Sequence, residues 1–111
     1  MKWSVNYTEK AIDDLHAIYE YIAYDLSSPI AAAKLVGRIM DTIDGLDTNP
    51  IGLPLYKKEP WKSRGMRFVP VKKHIIFFLV SEEKGTVDVL RVMYGRRDID
   101  LNTFNEELEN Q

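Results

Sequence analysis

Cysteine is absent from this 111-residue chain, which excludes a disulfide framework and a thiolate metal site and fits a reducing compartment. Long apolar runs are also missing. The longest, "IIFFLV" at 75–80, falls far short of the roughly 20 residues needed to span a bilayer. The opening "MKWSVNYTEK" lacks the apolar core of a signal peptide. Together these absences predict a cytoplasmic protein with no membrane partner. No His, Asp and Glu cluster has metal-ligand spacing, and neither a glycine-rich phosphate loop nor a nucleophile elbow occurs, so no metal or cofactor is expected. Repeats, low-complexity stretches and linkers are missing too, and residues 1–111 read as one domain.

What is present is an uneven distribution of charge. Residues 1–56 carry four Lys/Arg against eight Asp/Glu, residues 57–97 carry eleven against four, and residues 98–111 carry none against five. The net charge of −2 therefore conceals one basic segment between two acidic ones, a local feature suited to a polyanionic partner.

Hydrophobic periodicity orders the chain. "KWSVNY" at 2–7 alternates, with Trp3, Val5 and Tyr7 on one side, as a short half-buried strand does. Thr8 is placed to cap a helix whose apolar face is Ile12, Leu15, Tyr19, Ile22 and Leu26. Ser28 and Pro29 start a second helix with Ala32, Leu35, Val36, Ile39, Ile43 and Leu46 at helical spacing, ending before "NPIGLP" at 49–54. The short connection implies an antiparallel hairpin. Strands are expected at 64–71, at 73–81 (a continuous apolar run, hence covered on both faces) and at 86–94, with "EEKG" at 82–85 as a turn. Pro70 suggests a strand edge or bulge, and "TFNEELENQ" a short acidic helix. The expected fold class is α+β, a helical hairpin packed on a mainly antiparallel sheet of about four strands.

The stretch "VLRVMYGRRDID" at 89–100 concentrates the chemistry. Strict alternation puts Val87, Val89, Arg91 and Met93 on one face, so Arg91 interrupts apolar company. An unpaired buried guanidinium is costly, which leaves two readings: an ion pair, for example with Asp88, Asp98 or Asp100, or a rigid bidentate grip on phosphate. Arg67 lies on a strand that a meander brings near. Lys57, Lys58, Lys62 and Arg64 in the preceding loop form either a solvated surface or a basic rim, with Tyr56, Trp61 and Tyr94 able to stack on bases. His16 and His74 read as structural or surface histidines rather than catalytic ones.

The opening strand with "TEKAIDDLHAIYEYI", the helix ending in "LDTNPIGLP", the pair "GMRFVPVKKHIIFFLV" and above all "LRVMYGRRDI" resemble the RelE/ParE superfamily of toxins from bacterial toxin–antitoxin systems, over nearly the whole chain. The resemblance implies a helical hairpin against an antiparallel sheet. It implies a toxin neutralised by a cognate antitoxin, which acts by ribosome-dependent cleavage of messenger RNA as a metal-independent endoribonuclease. The alternative within the family is a ParE-like inhibitor of DNA gyrase without nuclease activity. A third is a non-toxic interaction module of the same fold. Operator DNA would be met only through the antitoxin. Carried over by position, Arg67, Arg91 and Tyr94 are the catalytic candidates, and Lys57, Lys58, Lys62, Arg64, Arg96 and Arg97 the RNA-binding ones. Met93 departs from the histidine that some relatives place there, and Tyr94 from the histidine of ParE-like "HGRRD" endings. A thioether cannot move protons, so proton transfer would fall to Tyr94 or to a lysine of the loop, with its pKa lowered by neighbouring cations. The acidic tail after Asp98 reads either as a solvated terminus or as an intramolecular shield for the basic segment.

Overall fold

A computed structural model describes residues 2–95. Strand β1 (Ser4–Tyr7) leads through Thr8 into helix α1 (Glu9–Glu20). Thr8 caps α1 as its position predicts: its side-chain oxygen accepts from the Ala11 N–H at 3.2 Å. The same hydroxyl lies 2.8 Å from the Val89 carbonyl, which ties the helix start to the last strand. Beyond Glu20 the chain widens into a π turn, Tyr21–Asp25. The wider turn rotates the residues after it about the helix axis. Ala23 is buried, while Leu26, which strict 3.6-residue spacing puts on the apolar face, is exposed. Helix α2 (Pro29–Asp44) has Pro29 in its first turn, but Ser28 makes no capping bond and instead donates to the Leu26 carbonyl at 3.1 Å. Two short 3₁₀ turns follow: Gly45–Asp47, where the sequence reading continues the helix through Leu46, and Pro50–Gly52, within the stretch read as irregular.

Strands β2 (Arg67–Val71), β3 (His74–Ser81) and β4 (Thr86–Tyr94) form a meander. The sheet order is β1-β4-β3-β2: two antiparallel pairs and one parallel pair, β1 with β4. The expected α+β architecture holds, and Pro70 sits on the edge strand β2, where a missing N–H costs no central ladder bond.

The sheet carries apolar cover on both faces. Ala11, Leu15, Ile39 and Ile43 of the helices meet Ile76, Phe78, Val87, Val89 and Val92. On the other face Trp61 and Met66, from the loop before β2, meet Phe77, Leu90 and Met93. Phe77 and Phe78 are both fully buried on opposite faces, and each burial stabilises by about 1.5–3 kcal/mol. The double cover expected of β3 is thus met by helices on one side and by a single loop on the other.

Strict alternation fails on β4. Phe77 pairs with Arg91 and Phe78 with Val89, so Leu90 is an extra residue in a β-bulge. The bulge resets the faces: Val89 and Val92 share the helix-covered cluster, and Leu90 and Met93 share the other. The single face assigned from sequence to Val87, Val89, Arg91 and Met93 is therefore corrected at its third and fourth members.

Candidate functional site

The bulge sets the environment of Arg91. β1 pairs with β4 only from Thr86 to Val89, so among the described residues no strand lies beside the outer edge of β4 beyond that point. Helix α1 takes that place through Asp14. Arg91 Nε donates to Asp14 Oδ2 at 2.7 Å and Nη2 to Oδ1 at 2.9 Å, a bidentate pair whose side chains are each 16% exposed. The Val92 N–H also donates to Oδ2, at 2.9 Å. One carboxylate thus takes two donors of the arginine and a backbone donor that a further strand would otherwise take. Of the carboxylates on described residues, Asp14 pairs with Arg91, while Asp88 accepts from Asn6 at 3.2 Å; the expected partners Asp98 and Asp100 lie outside the described residues.

Arg67 is held separately. Its Nη1 donates to the Leu53 carbonyl at 2.6 Å, anchoring the start of the loop that covers the second cluster. In register Arg67 stands opposite Phe78 and Arg91 opposite Phe77, with β3 between their strands, and each guanidinium has its own partner, the Leu53 carbonyl for one and Asp14 for the other. The shared phosphate grip read from the sequence is not assembled from this pair.

The loop itself is a small folded unit. The Tyr56 N–H donates to the Met66 carbonyl at 2.8 Å, and Leu55 bridges to Arg67. Glu59 accepts from both the N–H and the hydroxyl of Ser63, at 2.9 and 2.8 Å, and these bonds hold its carboxyl below the usual range. Trp61 is 2% exposed, and Tyr56 packs edge-on against Trp61, Phe68 and Phe77. These two rings are spent on the core, which corrects the expectation that they stack on bases. Lys57, Lys58, Lys62 and Arg64 are exposed around them as a basic rim without an open aromatic platform.

Met93, at the position where the resemblance leads one to expect a histidine in some relatives, is 5% exposed and packs with Trp61 and Phe77. Tyr94 is different: it is 39% exposed, and its ring meets His74 edge-on at 5.6 Å. His74 is half-buried, its Nδ1 is enclosed without a hydrogen bond, and burial pushes its pKa below the ordinary histidine value. This pairing of an exposed phenol with an uncharged imidazole is not apparent from the sequence, in which His74 reads as structural. Arg96, Arg97 and the expected C-terminal helix lie outside the described residues. Among the described residues no group of three or more His, Asp or Glu stands together as metal ligands, and no helix is long and apolar enough to cross a membrane.

A helical hairpin on a sheet of this order is the fold of toxins from toxin–antitoxin systems. The chain is similar to a chain of the chromosomal ParDE system from P. aeruginosa, with a TM-score of 0.70 and 25% identity over 84% of this chain and 96% of that one. It also resembles a chain of the RelBE2 toxin–antitoxin complex from Mycobacterium tuberculosis (TM-score 0.64, 17% identity, 85% of this chain and 99% of that one). A mutant of the E. coli toxin RelE in the free state gives a TM-score of 0.65 at 12% identity, covering 99% and 98% of the two chains. No curated protein matches the chain. These likenesses define a toxin of the RelE/ParE superfamily. The family model described as ParE toxin of type II toxin–antitoxin system, parDE, matches residues 5–99, and the chain belongs to that family.

Proposed function

We propose that this toxin arrests growth by binding DNA gyrase rather than by cutting messenger RNA, and that a cognate antitoxin neutralises it. The observation that carries this reading is the engagement of Arg91 by Asp14, together with the burial of Met93. Metal-free RNA cleavage needs a base for the ribose hydroxyl, positive charge at the pentacoordinate phosphate and an acid for the leaving oxygen. Here the strand arginine is bidentate to a carboxylate, Arg67 anchors a loop, and the residue before Tyr94 fills an apolar cluster. The family match to a parDE toxin supports the same branch. The antitoxin would be an extended or helical peptide that covers apolar surface and the basic segment, and operator DNA would be met through it.

A second reading, ribosome-dependent cleavage, draws on the exposed Tyr94 beside His74. One experiment separates the two. The chain is induced without antitoxin, message ends are mapped by primer extension, and purified chain is added to gyrase. Inhibited supercoiling with intact messages is the expected result. New cleavage ends that vanish in Tyr94→Phe, with supercoiling unaffected, would replace the proposal by the nuclease. Undisturbed growth would leave only the non-toxic module.

A further inference from the structure

Helix α2 carries its charges in an order that its own dipole opposes. Both bases, Lys34 and Arg38, precede both acids, Asp41 and Asp44, and the first turn holds no acid. Anions are stabilised at the N-terminal end of a helix and cations at the C-terminal end, so each half of α2 has the less favourable sign. Ser28 also leaves the helix start without a side-chain cap. Among the described residues neither Lys34 nor Asp41 has an ion-pair partner.

The same helix turns apolar surface to solvent. Ala32, Ile39 and Ile43 are buried, and the opposite side shows Ile30 at 74% exposure, then Ala33, Gly37 and Met40. These four are spaced three, four and three residues apart, the interval of a seam between helices. Gly37 stands mid-helix, where only proline costs more. Among the described residues a Cβ at position 37 would meet nothing within 4 Å, so packing within the chain does not ask for glycine. Close approach of another backbone does. Beside Met40 the seam opens into a groove of about 410 Å³ between the two helices, lined chiefly by Ile12, Leu15, Val36 and Met40.

We infer that this face of α2 binds a second copy of the chain, the two helices crossing antiparallel about a two-fold axis near residues 36 and 37. Charge selects the occupant. Run antiparallel, the basic half of each helix lies against the acidic half of the other, and a two-fold contact makes both pairings at once. A parallel copy, or a partner of uniform charge, would leave one half opposed. Lys34 of one copy and Asp41 of the other then fall within about one helical turn, 5.4 Å along the axis, inside the reach of a lysine. Ile30 of each copy meets the Met40 end of the other's groove, and Ala33 and Gly37 let the backbones come close. One helix crossing falls short of the roughly 1,000 Å² of a stable interface, so the pair is weak, with a dissociation constant on the order of micromolar or above. The pairing goes beyond the gyrase reading and does not rest on it.

The test is sedimentation of the full chain from about 5 to about 500 μM, a range that brackets such constants. The average mass should climb from 12.9 kDa toward twice that value. K34E and D41K should each weaken self-association about tenfold or more, because each sets two like-charged pairs across the axis. Mixed together, K34E and D41K should pair with one another, and the double variant K34E/D41K, which only exchanges the signs, should pair as the parent does. Gly37→Leu should abolish the pair. Leucine is a better helix former, so the melting temperature of this variant at dilution should not fall, which separates lost docking from misfolding. K84Q, in the turn after β3, should behave as the parent chain. A chain that stays monomeric across the range would overturn the inference. So would charge reversals that fail to complement each other, or growth beyond a dimer, which a closed two-fold contact does not allow. Gyrase inhibition by Gly37→Leu is scored separately, so that the pair and the gyrase reading can fail independently.

Discussion

Asp14→Ala is the most informative single substitution, because one carboxylate closes both the Arg91 fork and the Val92 N–H. Losing the acceptor for a sheltered backbone N–H costs about 1–3 kcal/mol. Removing one partner of a buried ion pair costs about 3–5 kcal/mol. Both side chains keep 16% exposure, so water relieves part of the second loss, and the two losses share one group. The expected total is about 3–4 kcal/mol, a fall of roughly 12–16 °C in melting temperature for a chain of this size. Arg91→Ala should cost about half as much, since Asp14 still accepts from Val92 and meets water on its other side. A double-mutant cycle read by urea denaturation should then give about 2 kcal/mol of coupling. Additive effects, or a loss below about 1 kcal/mol in Asp14→Ala, would refute the assignment of Arg91 to the fold.

Thr8→Ala removes a helix cap that also meets the Val89 carbonyl, and should lower stability by about 1–2 kcal/mol in the same denaturation assay. Trp61→Ala empties the centre of the second cluster and should cost about 3–5 kcal/mol, with little change if the loop is instead open and loosely packed. His74 resists protonation in the folded state, whereas the unfolded chain takes the proton near 6.5. Its contribution is therefore full above that pH and is lost as pH falls below it toward the lower folded value. Urea midpoints measured from pH 7.5 to 5 should drop more steeply for the parent chain than for His74→Phe, and parallel curves would contradict the burial.

Much of this architecture is written in local pattern. Thr8 before a periodic run, Pro29 at a helix start, Pro70 on an edge and the continuous apolar β3 each act through their nearest neighbours, and each finds its expected place. The departures come from effects that act across the chain. The extra residue at Leu90 is a matter of register between β3 and β4, and no alternation rule on one strand reveals it. The pairing of Arg91 with Asp14 joins residues 77 apart. A signal for it is nevertheless present: Asp14 falls between Ala11, Leu15 and Ile18 at helical spacing, an acid inside an apolar stripe, just as Arg91 is a base inside an apolar strand. Two opposite charges, each on a buried face, ask to be matched with each other. Trp61 and Tyr56 mislead because a lysine-rich loop reads as surface, while here exposed cations surround an aromatic plug. His74 and Tyr94 meet only through strand register, as the first and last residues of their strands.

The central claim is that this toxin's strand arginine serves the fold, and that growth arrest proceeds without RNA chemistry. It is tested most directly by adding the purified chain to gyrase and to translating ribosomes in parallel. The account predicts loss of supercoiling activity at stoichiometric toxin and uncut message. Cleaved message that becomes intact in Arg91→Lys, a variant that retains the charge on Asp14, together with fully active gyrase, would contradict it.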